Sequence, residues 1–373
     1  MDLMRMVRVA TAVSVIGLVS VVSAQSDLDT VMPGGIYDPA APTWKGQAGM
    51  TFLQIPASAR AAALGNAFSG VEGDPSVAFY NPAGIATGGP AALYVNYTSW
   101  FADMTLTDIA VTTNAGIFAF GLTYHGIDYG TIKATRISDA VAGSNFEYIG
   151  DMNPTAWAIG GIFATQFTDR FKAGVQVKYA YQDFGENNFW TFIGTPRYRI
   201  DPNDSTQLAI HENRKGVVAF DLGTQYNTGM RGVRINMSLQ HFGESKRYVE
   251  HNFELPLTYR VGLMFDVIEV ATGLPNPDHS LTAYIDGVDR RDVRVDAAFG
   301  LEYTLRLSSL GENTAVSLRV GRQAARYQEG WLTFGAGAAI NVPGLGQTVQ
   351  VDWAYADYGE HFSSQFFGFT FAL

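Results

Sequence analysis

Between residues 171 and 183 the chain alternates without a break. Phe171, Ala173, Val175, Val177, Tyr179 and Tyr181 fall on one face, and Lys172, Gly174, Gln176, Lys178, Ala180 and Gln182 on the other. Successive side chains of a strand point to opposite sides, so such a segment has one greasy face and one wet face. The same period of two returns in residues 233–240, 295–306 and 348–355, each time with charged or amide side chains opposite aliphatic and aromatic ones. A soluble sandwich also alternates, but its apolar face packs on a core and needs no Tyr or Trp at its ends. A charge facing lipid near mid-membrane costs about 2–4 kcal/mol, so the charged faces must line a polar lumen.

Past the first 24 residues no segment has 18 consecutive apolar residues, which excludes a membrane protein built from helices. The closed barrel remains, in which every backbone group bonds to a neighbouring strand. From residue 91 the chain divides into about fourteen segments of membrane-crossing length. They are 91–100, 106–114, 117–124, 156–165, 171–183, 217–226, 233–240, 259–267, 279–286, 295–306, 314–321, 332–340, 348–355 and 362–373. Connections at 114–116, 166–170, 227–232, 269–278, 308–313 and 341–347 are mostly short, whereas 125–155, 184–216, 241–256 and 322–330 are longer. That alternation assigns the first set to periplasmic turns and the second to outer loops. The last segment carries Phe367, Phe369, Phe371 and Leu373 at period two, similar to the terminal strand read by the outer-membrane insertion machinery.

Residues 1–24 have Arg5 and Arg8, an apolar run from Val9 to Val22, and small residues before Gln25, the pattern of a signal peptide cleaved at that point. Export to the outer membrane of a Gram-negative-type cell is the expected localisation. Charged residues are 16 %, well under the roughly 25 % of soluble domains, and Gly numbers 40, a composition that suits a barrel. Net charge is −10 with no basic stripe, which argues against nucleic acid as a partner. There is no Cys, hence no lipid-anchor site and no disulfide.

Residues 52–86, FLQIPASARAAALGNAFSGVEGDPSVAFYNPAGIA, are the one long stretch that is neither strand nor turn. Ser58 can cap a short Ala-rich helix that Gly65 ends, and Asp74 with Pro75 starts a second, which Asn81 and Pro82 stop. Helices this short need something to pack against, and the inside of the barrel supplies it. The fold expected is therefore all-β: a transmembrane antiparallel barrel of about 14 strands, residues 91–373, with an N-terminal helical hatch within residues 25–90.

The run from Gly46 to Ala86 resembles the N-terminal signature of the PorV/PorQ outer-membrane proteins. The matching elements are Phe-Leu-x-Ile-Pro after a Gly, the ARAAALG helix with Arg60 and Gly65, the acidic Asp74, and Asn81-Pro82-Ala83-Gly84. That family sits among barrels similar to the long-chain fatty-acid transporter FadL. The resemblance implies an accessory of type IX-like secretion that engages secreted proteins or other secretion components through its outer loops. The alternative it implies is a FadL-like channel for hydrophobic small molecules. A channel needs a low-polarity pocket, for which Phe79, Tyr80, Phe189 and Trp190 are available, with Tyr124 near the mouth. Gly121 and Gly126 could kink the third strand, the feature that opens a lateral exit in FadL-like transporters. Arg60 suits equally a lumen charge paired with an inward carboxylate such as Asp296 or Glu302, and Asp74 a cap.

No catalytic or metal motif stands out. The six His, at 125, 211, 241, 251, 279 and 361, show no H-E-x-x-H spacing, and there is no G-x-S-x-G. Asp201, Asn203 and Asp204 lack EF-hand spacing and suit a solvated loop. We expect neither cofactor, metal nor enzymatic activity, with outer-membrane lipid as the constant partner.

Overall fold

The computed structural model describes residues 48–137, 146–184, 214–248, 251–291, 293–307, 309, 314–324, 331–342, 347–359 and 362–373. The expected signal peptide, residues 1–24, and the loop aromatics Phe189 and Trp190 lie outside them. The strands in chain order are β1 Ala91–Ser99, β2 Thr105–Ala115, β3 Phe118–Asp128, β4 Ile132–Ile137, β5 Phe146–Met152, β6 Thr155–Gln166, β7 Phe171–Asp183, β8 Arg214–Asn227, β9 Arg234–Gly243, β10 Lys246–Tyr248, β11 His251–Phe253, β12 Thr258–Asp266, β13 His279–Arg290, β14 Val293–Arg306, β15 Ala315–Ala324, β16 Trp331–Val342, β17 Gln347–Asp357 and β18 Ser363–Ala372. Fourteen of them form one closed antiparallel barrel, while β4–β5 and β10–β11 stand apart as hairpins of outer loops. β1 closes against β18 over a continuous register from Ala92↔Ala372 to Ser99↔Gln365.

Side-chain parity decides the faces. In β18 Phe367, Phe369 and Phe371 are exposed to the outside, while Ser364, Phe366 and Thr370 are buried in the lumen. In β7 Lys172, Gln176, Lys178 and Gln182 are buried, opposite the exposed Val177 and Tyr179. Among the described residues no helix is long and apolar enough to cross a membrane. Several strands run further at their outer ends than the apolar pattern indicated, β3 to Asp128 and β13 to Arg290. Beyond the hydrocarbon both faces of a strand are wet and the alternation fades while the ladder continues. The turn expected at 269–278 begins instead with helix α2, Val267–Thr272, capped by Asp266 and ended by Gly273 in the left-handed region.

Leu122 is 63 % exposed and pairs with Val111 and Gly161 midway along β3. Leu122→Arg is expected to destabilise the barrel by about 2–4 kcal/mol, because it turns a charge toward lipid. Urea titration in lipid vesicles measures this. An unchanged midpoint would mean that the face is not in hydrocarbon.

Candidate functional site: the lumen and its plug

Residues 48–90 fill the barrel. Helix α1, Ala59–Ala63, starts at Ser58, whose Oγ accepts from the Ala61 amide at 3.3 Å. It is followed by Gly65 at φ +63, a conformation that glycine adopts at little cost. The second helix is a 3-10 turn, Pro75–Phe79, capped by Asp74. Asn81 does more than stop it. Its side chain accepts from the Ala83 amide at 3.1 Å and begins a further 3-10 turn, Pro82–Ala86. A Cβ on Gly84 would lie 2.6 Å from a Val77 methyl and 2.7 Å from the Val71 carbonyl, so only glycine lets these turns stack.

Some polar groups of the plug pair with one another, as Ser76 does with Asp74, and others reach the wall. Arg60 forks onto Glu302 of β14, Nε to Oε1 at 3.1 Å and Nη2 to Oε2 at 2.7 Å, and its Nη1 donates to Asp74 at 2.9 Å. Glu302 also accepts from Tyr284 Oη and Arg319 Nε, each at 2.8 Å, and Arg319 donates on to Asp352 at 2.5 Å. Burial works against the charge of Arg60, but Glu302, Tyr284 and Asp74 outweigh it and hold its pKa above the ordinary value. Asp286 of β13 accepts the Phe68 amide at 3.0 Å, the Ser69 amide at 3.1 Å and the Ser69 hydroxyl at 2.7 Å. Asn81 Nδ2 donates to the Ser69 and Thr224 carbonyls, and Gln225 Nε2 to those of Ser69 and Val71. Lower down, Glu72 pairs with Lys172 at 2.8 Å and Arg234 at 3.4 Å.

The outer lumen holds an apolar cluster. Met50, Phe52 and Leu53 pack there against Leu106, Ile127, Val217, Phe253 and Leu255. Beneath them lies a cleft of about 50 Å³ lined by Phe79, Tyr80, Thr123, His125, Lys178, Gln240, His241 and Arg260 among others. It is polar. His125 bonds through Nδ1 to Asp108 and through Nε2 to the Phe52 carbonyl. Lys178 pairs with Asp221 at 2.6 Å, and Asp221 also accepts the His241 amide at 2.7 Å. His241 has φ +62 and sits in a bulge where the β8–β9 register shifts. Burial raises the pKa of the Tyr80 phenol, against the nearby charge of Arg260. A larger vestibule, about 480 Å³, opens at the periplasmic ends of β12 to β17 and reaches up to Arg60, Tyr284, Glu302 and Arg319.

Phe79 and Tyr80 therefore meet at a cavity, whereas Tyr124 does not. It shares the outer face with Phe118, Phe120 and Leu122, and its phenol covers Gly126, where a Cβ would stand 2.4 Å from the Tyr124 oxygen. The expected kink in β3 is absent too. Its ladders to β2 and β6 run unbroken from Phe118 to Asp128. Gly121 faces inward, where a Cβ would lie 3.1 Å from Ile85, so it makes room for the plug. Of the two carboxylates considered for Arg60, Glu302 takes it, while Asp296 pairs with Arg290 at 3.5 Å. Asp286, Gln225 and His241 were not anticipated. A carboxylate at the end of the segment 279–286 was the available signal for Asp286. Among the described residues no group of three or more potential ligands could hold a metal ion.

No protein-family model matches the chain, and no curated protein does. Solved structures do. The toluene transporter TbuX of Ralstonia pickettii is 14 % identical with a TM-score of 0.51, over 85 % of this chain and 96 % of that one. The toluene transporter TodX of Pseudomonas putida is 11 % identical with a TM-score of 0.52, over 83 % and 96 %. The monoaromatic hydrocarbon channel CymD is 10 % identical with a TM-score of 0.53, over 85 % and 95 %. None of these three is described as an enzyme. At these identities the likeness is one of fold alone, a barrel shared with two toluene transporters and a hydrocarbon channel, and it gives no support to the PorV/PorQ resemblance.

Proposed function

We infer that this chain is an outer-membrane channel for hydrophobic small molecules, the alternative that the sequence ranked second. The observation that carries it is the apolar cluster of the outer lumen, where the plug's own Met50, Phe52 and Leu53 occupy a lining of Leu106, Ile127, Val217 and Leu255. A hydrophobic solute that displaced this segment would find the same surface. The fold shared with hydrocarbon channels points the same way. The cleft below is too small and too polar for an aromatic ring, since a dry cavity of about 150 Å³ is what holds benzene. The solute is therefore expected to stop first at the level of Phe52 and to pass Phe79 and Tyr80 only as the plug shifts.

Cells expressing the chain should take up labelled toluene or a long-chain fatty acid faster than cells without it. Pull-down with the intact chain should recover no secreted partner. Recovery of such a partner, with no uptake of either solute, would restore the secretion reading and end this one.

A further inference from the structure

The plug separates two compartments, and the barrier between them is thin at one place. Tyr80 and Arg260 line the upper cleft, with the Arg260 guanidinium 5.5 Å from the Tyr80 ring centre. Tyr80 meets Phe68 edge-on at 5.2 Å. Phe68 in turn lies 5.8 Å from the guanidinium of Arg60, which lines the vestibule. A stack of four side chains, Arg260, Tyr80, Phe68 and Arg60, thus spans from one compartment to the other. Sideways there is no comparable weak point in β3, whose ladders are complete and whose Gly126 is covered by Tyr124.

Around Arg60 the charges are distributed so that plug and wall can part there without stranding either. Arg60 and Asp74 both belong to the plug, so Arg60 keeps a carboxylate at 2.9 Å when it leaves the wall. Glu302 stays behind with Arg319 at 2.8 Å and the Tyr284 hydroxyl at 2.8 Å. A single buried pair would leave two uncompensated charges on opening, which is strongly unfavourable. This network leaves none.

We propose that solute leaves this barrel axially, through the periplasmic vestibule, with the four-residue stack as the barrier and the Arg60–Glu302 contact as the one that must release. The proposal deepens the channel reading above and rests on it. The vestibule is lined by Arg234, Asp266, Glu269, Arg306 and Gln350, so the exit is hydrated and mixed in charge, and a solute leaves it into water rather than into lipid.

The native chain has no cysteine, so single Cys variants report cleanly. Ala339→Cys and Ser317→Cys place a thiol in the vestibule, and Ala336→Cys places one on the lipid face of the same strand as Ala339. After reaction with a bulky maleimide, the two vestibule variants are expected to lose most of their toluene uptake, and the lipid-face variant none. Full uptake by the blocked vestibule variants would overturn the axial route and leave the channel reading intact. If the wild type takes up neither toluene nor a long-chain fatty acid, the channel reading fails, and bilayer conductance in potassium chloride tests the latch by itself. Arg60→Ala is expected to open far more often than wild type there, and an unchanged record would refute the latch.

Discussion

Deletion of residues 52–86 is expected to leave a barrel that still inserts and carries on the order of tenfold more ion current, or more, than the intact chain. The wall closes without the plug, through the β1–β18 register from Ala92 to Ser99. Two of its inward charge pairs also remain intact. Lys178 and Asp221 pair across β7 and β8 at 2.6 Å, and Arg319 and Asp352 across β15 and β17 at 2.5 Å, without any plug atom. An emptied lumen lined by such groups fills with water, because many inward positions outside the apolar cluster are polar. Conductance in planar bilayers and heat-modifiable migration on gels measure the two halves of the expectation. A deletion that failed to insert would make the segment part of assembly instead of closure.

What was legible in the sequence was whatever is decided locally. Parity within a strand needs only the strand, and the caps at Ser58 and Asp74 need only the next three residues, so both appear where the sequence puts them, whereas Asn81, read only as a stop, also caps a further turn. Contacts between plug and wall depend on which rung of a distant strand stands beside which plug residue, and that is set by the closure of the whole barrel. Hence Arg60 could be given two candidate partners but not one, and Asp286 none. Tyr124 is a different case. The outward run Phe118, Phe120, Leu122 already fixed its face by parity, but the pull of an aromatic near the expected mouth outweighed it. The two glycines of β3 are explained by what each one meets, Ile85 on the inside and the Tyr124 ring on the outside, which no spacing rule reveals.

Asp286→Ala is expected to unseat the plug while sparing the wall. The carboxylate is 2 % exposed and is the acceptor for the Phe68 amide, the Ser69 amide and the Ser69 hydroxyl. Removing it leaves these donors facing a methyl group in a space that Gly262 keeps narrow, since a Cβ there would come within 2.3 Å of Ser69 Oγ. Each buried donor left without an acceptor costs about 1–3 kcal/mol, so several kcal/mol of plug seating should disappear. Asp286→Asn keeps one acceptor oxygen and loses the charge, so it should fall between wild type and alanine. The β13 ladder to β12 and β14 uses backbone groups alone and is indifferent to the change. Hydrogen exchange separates the two effects: the Phe68 and Ser69 amides should exchange faster by several orders of magnitude in the alanine variant, with the amides of β13 unaltered. Equal protection of Phe68 and Ser69 in all three proteins would show that the surrounding packing of Leu64, Phe68, Val71 and Val77, not this carboxylate, holds the plug in place.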